Sequence, residues 1–348
     1  MPSNPKPMKF VASSTDLSAA LRAVSRAVGN GRQHPVLSGV LLAAEGGSVR
    51  ITAYDLELGI SAVTEASVAV SGAVVAPHRM LADLISRLDG EAVTLALTGD
   101  RLTVTAGASS YALATHDADD FPQLPAVATA ATDPLDLTAA LAAVLPATST
   151  DISKQQLQGV HLHNGCLEAT DGHRLAVWAA GHGADNVVLP ARTLALIKGP
   201  VSIAIDGAYA SLESCGLQII SRLLDGTYPN VQALIPADFK HKALADREDL
   251  IHALERIAIV SNNGIVKLKA KNATLEISAE GESNAGIESL RLSGTLPTFA
   301  INVQYLITAL RAFAVDEVEI RANMDTTPIV IAGDPGQTYL IMPVQIRG

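Results

Sequence analysis

His161 and His163 stand two residues apart, Asp171 and His173 follow closely, and His182 lies a little further on. Imidazole and carboxylate groups in one short stretch offer nitrogen and oxygen ligands to a divalent metal, which could activate water for hydrolysis. On a strand, His161 and His163 would share one face. Their spacing fits no zinc template, however, and surface strand histidines explain them more simply. The acidic run from Asp117 to Asp120 reads as a loop cap at a domain boundary rather than a metal site. The chain contains no G-x-S-x-G, no P-loop and no G-x-G-x-x-G. No catalytic residue, metal or cofactor is therefore expected. A metal-dependent hydrolase built on His161, His163, Asp171 and His173 stands as the alternative.

The elements that would carry these residues recur along the chain. DLSAALRAVSRAV from Asp16, DLTAALAAVLPAT from Asp136 and DLIHALERIAIV from Asp249 share one pattern. Each opens with Asp as an expected N-cap and continues with apolar residues at helical spacing, such as Leu17, Leu21, Val24 and Val28. A second helix follows each first one: PHRMLADLISRL from Pro77, PARTLALIKG from Pro190 and NVQYLITALRAF from Asn302. Pro77 and Pro190 fit the first helical turn, where a missing N–H costs nothing, and Asn302 caps the third. Alternating strand runs start at Val49, Val93 and Val201 and are joined by Gly-Asp or Asp-Gly turns. Boundary signatures recur at Asp120-Phe121-Pro122 and Thr227-Tyr228-Pro229. The reading is an α+β chain of three repeats, each two helices packed on antiparallel sheets. The expected limits are a loose tail at 1–7 and domains at 8–129, 130–245 and 246–348.

Composition narrows the class. Aromatics make up only 3% of residues against 48% apolar, so Val, Leu, Ile and Ala must fill the cores. No apolar run is long enough to span a membrane, and the proline-rich opening is not a secretory signal. Cys166 and Cys215 give neither a disulfide framework nor a zinc spacing, which suits a reducing cytoplasm.

A formal net charge of -10 argues, by itself, against nucleic acid. The six helices are nevertheless mildly basic: Arg22, Arg26, Arg79, Arg87, Arg192, Lys198, Arg256 and Arg311 outnumber Asp16, Asp83, Asp136, Asp249 and Glu255. Arg32, Lys154 and Arg222 are expected in nearby loops. Such a chain would tolerate phosphates on one face and repel them elsewhere. A repeat scaffold that never meets DNA would show the same repeats, and there the helix face would not matter.

The segment Leu157 to Trp178 is the most distinctive. Its Thr170-Asp171-Gly172-His173-Arg174-Leu175-Ala176-Val177 strongly resembles the signature of the bacterial DNA polymerase III beta subunit, the replicative sliding clamp family. The resemblance extends over nearly all of 8–348, through PVLSGVLL at Pro35, the D-F-P boundary, the helix at Asn302 and the ending Tyr339 to Val344. It implies three DNA-clamp domains per chain and a head-to-tail homodimer that closes a six-domain ring. Helices would line the hole around double-stranded DNA, held without sequence preference. Arg22, Arg26, Arg32, Arg79, Lys154, Arg192, Lys198 and Arg222 would face that DNA. It further implies a partner-peptide pocket for the replicative polymerase alpha subunit, the clamp loader and other factors carrying a Q-L-x-L-F-like motif. Thr170, Gly172, His173, Arg174 and Leu175 would form one wall. Leu157, Pro236, Leu340 and Met342 would complete an apolar socket, and Asn302, Tyr305, Ile329, Pro343 and Val344 would hold the other end. Gln345 replaces an expected basic residue at the rim. Tyr111 and Leu113 of one chain would meet Ile259 and Val260 of the other, although the same residue types could equally be core.

Overall fold

The computed structural model describes residues 7–32, 34–88, 92–127, 133–181, 186–261, 263–281 and 283–345. The expected tail (apart from Pro7), the boundary near residue 130, His182 and the extreme C-terminus lie outside them. The fold is α+β, with every sheet pairing antiparallel and six α-helices among the described residues. These are α1 (Ser14–Val24), α2 (His78–Ile85), α3 (Thr138–Val144), α4 (Ala191–Leu194), α5 (Arg247–Ala258) and α6 (Val303–Arg311).

Helix starts follow side-chain chemistry, but not at the expected aspartates. Ser13 caps α1, its hydroxyl accepting from the Asp16 amide at 3.3 Å. Asp246 caps α5, accepting from the Asp249 amide at 2.8 Å. Asp16 and Asp249 sit in the first turn instead, where a negative charge favours the positive end of the helix dipole. Asp136 lies in the short strand Leu135–Asp136, and α3 starts with no side-chain cap. Pro77 and Pro190 occupy the cap positions just before α2 and α4. Asn302 caps α6 as expected, accepting from Gln304 and Tyr305. The α4 helix is a single turn capped at Ala195, and the chain then passes Gly199 at φ +71° into strand Pro200–Asp206. Lys198 therefore sits in a loop, its carbonyl accepting from Ser214.

Chain contacts group the protein into two compact units, one of residues 1–136 with 197–222 and one of residues 137–196 with 223–348. In the first, a five-stranded sheet ends at edge strand Ser109–Ala114. Its eight-stranded sheet runs without interruption from the middle repeat into the first, because strand Leu217–Arg222 pairs with Leu58–Glu65, Ile219 opposite Ile60. Arg222, expected in a loop, ends that strand. Leu17, Leu21 and Val24 bury one face of α1 and Leu81 and Ile85 one face of α2, the 3.6-residue period read from the sequence.

In the second unit, a nine-stranded sheet joins the middle repeat to the last through strands Arg174–Ala179 and Gln337–Ile341, Leu175 opposite Leu340. A four-stranded sheet ends at edge strand Ala285–Arg291. Leu250, Leu254 and Ile257 of α5 and Leu306, Ile307 and Leu310 of α6 are buried. Gly286 on the edge strand must stay small, since a Cβ there would meet Val260 at 2.8 Å and Ile257 at 2.9 Å. The contact grouping is twofold, whereas the sequence repeats threefold, because each half of the middle repeat shares a sheet with a neighbour.

The caps make a stability prediction. Asp246→Ala should cost about 1 kcal/mol in denaturant unfolding, by loss of the α5 cap. Asp249→Ala should cost about 0.5 kcal/mol or less, a dipole contribution only. Equal losses would contradict the cap assignment.

Candidate functional site

The loop between strands Cys166–Thr170 and Arg174–Ala179 is built by its own side chains. Asp171 Oδ1 accepts from the amides of His173 at 2.9 Å and Arg174 at 3.1 Å. Thr170 Oγ1 accepts from the Gly172 amide at 3.1 Å and donates to the Arg174 carbonyl at 2.6 Å. Gly172 carries φ +95°, a conformation open to glycine and strained for side-chain-bearing residues. The Lys154 ammonium donates to the Asp171 carbonyl at 3.2 Å, so this lysine braces the loop. Arg174 Nε donates to Asp171 Oδ2 at 3.0 Å, its guanidinium lies 4.4 Å above the Tyr305 ring, and it also donates to the Pro146 carbonyl. Planar stacking with a fixed carboxylate orients arginine in a way lysine could not reproduce.

Beside this loop, Leu157, Leu175, Val188, Tyr228, Val231, Val330 and Leu340 form one apolar cluster, with Val177, Leu224, Ile235 and Phe239 packed at its margin. The Tyr228 hydroxyl accepts from the Thr170 amide at 3.1 Å, tying cluster to loop. Burial pushes the Tyr228 phenol above its ordinary pKa, so it stays protonated. Beyond strand Gln337–Ile341 the chain runs along the loop: the Met342 amide donates to the His173 carbonyl at 2.9 Å, and the Val344 amide to Ala300 at 2.8 Å. Met342 is 39% exposed, and Val344, Gly172 and His173 are open to solvent as well. Pro236, Asn302, Tyr305 and Pro343 are half-buried. An apolar floor with an exposed thioether, a histidine and a stacked arginine around it suits a short amphipathic segment better than a reacting small molecule.

The structure thus brings Leu157, Leu175 and Leu340 into one floor and Thr170 to Arg174 into one wall. Ile329 is fully buried opposite Ile341 in the same sheet. Val188, Tyr228, Val231 and Val330 join the floor although the sequence did not single them out for it. Only Tyr228 and Val231 carried a signal, as part of the recurring boundary Thr227-Tyr228-Pro229-Asn230-Val231.

The histidines do not form a metal site. Among the described residues no group of three His, Cys, Asp or Glu is placed to hold a metal ion. His161, expected at the surface, is buried. Its Nδ1 lies 2.9 Å from Glu168 Oε2 and its Nε2 2.9 Å from Asn186 Oδ1. Burial opposes the charged imidazolium, but the bonds to Glu168 and Asn186 and the Glu168 charge outweigh it, raising the pKa above its ordinary value. His161 and His163 do share a face, their rings stacked 5.1 Å apart.

With this geometry in place, relatives are informative. Residues 8–125 match the family model of the DNA polymerase III beta subunit N-terminal domain, and residues 232–345 that of its C-terminal domain. The beta sliding clamp of Synechococcus elongatus is 37% identical across 98% of this chain and 100% of its own length. The chain belongs to the DNA polymerase III beta subunit family. The beta sliding clamp of Synechocystis is 33% identical across 97% of this chain and 100% of its own. Among solved structures, the Caulobacter crescentus beta sliding clamp superposes with a TM-score of 0.91 at 25% identity, covering 98% of this chain and all of its own. The Bacillus subtilis clamp shares the fold at the same TM-score, with 23% identity over 98% of this chain and 100% of its own. Family membership makes the chain a replicative DNA clamp, a processivity factor of DNA polymerase III rather than an enzyme.

Outside the Thr170–Arg174 loop, the expected interface residues Tyr111 and Ile259 are exposed rather than core. Tyr111 is 45% exposed on edge strand Ser109–Ala114, with Leu113 half-buried. Ile259 is 84% exposed at the end of α5, with Val260 half-buried against Gly286. Ile287, on edge strand Ala285–Arg291, is 69% exposed and was not anticipated. Arg22, Arg26, Arg32, Arg79, Arg192, Lys198 and Arg222 are all solvent-exposed.

Proposed function

We propose that two copies of this chain, each carrying domains at 8–129, 130–245 and 246–348, close head to tail into a ring around double-stranded DNA in the cytoplasm. In this reading the ring tethers the replicative polymerase alpha subunit, the clamp loader and other factors through a Q-L-x-L-F-like segment seated at the Thr170–Arg174 loop. The observation that carries the pocket is the apolar cluster under that loop, edged by exposed Met342 and Val344. An apolar anchor in such a floor supplies affinity, and the exposed His173 beside the Arg174–Asp171 pair supplies register.

A ring retains DNA by topology, so base contacts are unnecessary. Arg22 and Arg26 at the end of α1, with Arg32, Arg79, Lys198 and Arg222 in the same unit and Arg192 in the other, supply scattered phosphate contacts. Few contacts mean a shallow salt dependence and free sliding. Lys154, engaged with Asp171, belongs more to the pocket than to this set. Two exposed edge strands and the apolar Tyr111, Leu113, Ile259, Val260 and Ile287 support the subunit contact, since an open edge is stabilised by pairing.

Each part has its own measurement. A fluorescent Q-L-x-L-F-type peptide should bind saturably by anisotropy, and Met342→Asp should weaken it about tenfold or more while the protein stays folded. No binding to the unaltered protein would remove the pocket. Arg22→Glu with Arg26→Glu should shorten retention on primed circular DNA after loading; unchanged retention would take these residues off the DNA path. Ile259→Asp should shift the sedimenting species toward half the mass, and a persistent dimer would place the subunit contact elsewhere.

A further inference from the structure

We propose that the buried His161–Glu168 pair is a positioning element of the pocket, acting as an imidazolium–carboxylate pair that fixes Tyr228 and, through it, the Thr170–Arg174 wall. This inference rests on the pocket reading above. It concerns residues that the clamp function leaves unused; the sequence had offered His161 only as a metal ligand and had not singled out Glu168.

Glu168 is 2% exposed, and a carboxylate taken out of water needs partners on both oxygens. It has them: His161 Nδ1 at Oε2 and Gln232 Nε2 at Oε1, 2.7 Å away. His161 faces acceptors at both ring nitrogens, the Glu168 carboxylate and Asn186 Oδ1. A neutral imidazole carries one N–H and would leave one of these contacts without a proton, whereas the imidazolium satisfies both. The ring then stacks on Tyr228 with centroids 4.5 Å apart, and a cation over a tyrosine face is attracted to it. Tyr228 lies in the pocket floor and its hydroxyl accepts from the Thr170 amide, the first residue of the wall. Three contacts thus connect a buried charge to the pocket surface.

The groups facing the pair come from every neighbouring element. His163 stacks on the far side of His161 and is bonded by Asn164 at 2.9 Å. Cys166 and Tyr228 feel the Glu168 charge, and burial with that charge raises both, so both stay protonated near neutrality. Of the groups bonded to Glu168 or stacked on Tyr228, His161 is the one placed to change charge. Its pKa is raised on folding, so the pair's contribution is complete below the ordinary histidine value of about 6.5 and disappears as pH rises through the higher folded value.

The test follows the full-length protein with the fluorescent Q-L-x-L-F-type peptide from mildly acid to alkaline pH, alongside the Thr170 and Gly172 amide resonances without peptide. Affinity should fall about fivefold or more as His161 loses its proton, with a midpoint shared by the Thr170 amide. Glu168→Gln keeps the shape and removes the charge, so it should move both midpoints to lower pH. The exposed His173 sits in the wall itself; the displacement caused by Glu168→Gln, whose native carboxylate bonds His161 and Gln232, separates the two histidines. A purely structural role would lower thermal stability in the variant and leave the midpoints in place. Saturable binding with pH-independent affinity would overturn the inference and leave the pocket intact. Absence of binding at every pH would overturn both. Should Glu168→Gln fail to fold, the unaltered protein decides: separate midpoints for affinity and the Thr170 amide would reject the coupling.

Discussion

The register between strands Arg174–Ala179 and Gln337–Ile341 is the constraint on which the pocket depends. Leu175 opposite Leu340 puts two leucines from distant parts of the chain on one face. A slip of one residue would turn one of them toward the opposite face, because side chains alternate along a strand. The same pairing brings the Met342 amide to His173 and so closes the loop against the C-terminal segment. Leu157, Val188, Tyr228, Val231 and Val330 can then pack against a fixed pair. The counterpart, Ile219 opposite Ile60, does the same for the first unit. Cross-repeat strand pairing therefore makes a chain of similar modules into continuous sheets.

The repeats were legible because helices need a 3.6-residue apolar period and strands a two-residue one, and both survive divergence. Leu17, Leu21 and Val24 announced their helix, and Asn302 its cap. The aspartates misled because a first-turn Asp and an N-cap Asp leave similar marks; only the geometry of Ser13 and Asp246 tells them apart. The length of α4 was hidden because Ala195 and Leu196 continue the helical pattern past Leu194, where the helix ends. In both cases a residue's own helical propensity competes with the geometry its chain neighbours impose.

The wall of the site was readable from Thr170 to Arg174 because side chains and amides within five consecutive residues build it. The floor was not, since Val188, Val231 and Val330 are ordinary strand and loop valines until the fold gathers them. His161 shows the opposite error. Its residue type suggested ligand chemistry, yet a glutamate on one neighbouring strand and an asparagine leading into the strand on the other side engage both ring nitrogens inside the protein. Nothing in the spacing of His161 and His163 reveals that their shared face points inward.

The edge strand Ser109–Ala114 reads Ser, Ser, Tyr, Ala, Leu, Ala. It holds none of the lysines or prolines that keep lone edges apart. Across the second unit, Ala285–Arg291 carries Glu288, but that carboxylate is already clasped by Arg256 through two bonds of 2.8 Å within the same chain. An unaccompanied protomer consequently offers Ser109–Ala114 as an uncharged template for indiscriminate strand addition. Its resistance to aggregation is then a property of the assembly, set by how soon a newly made chain meets another.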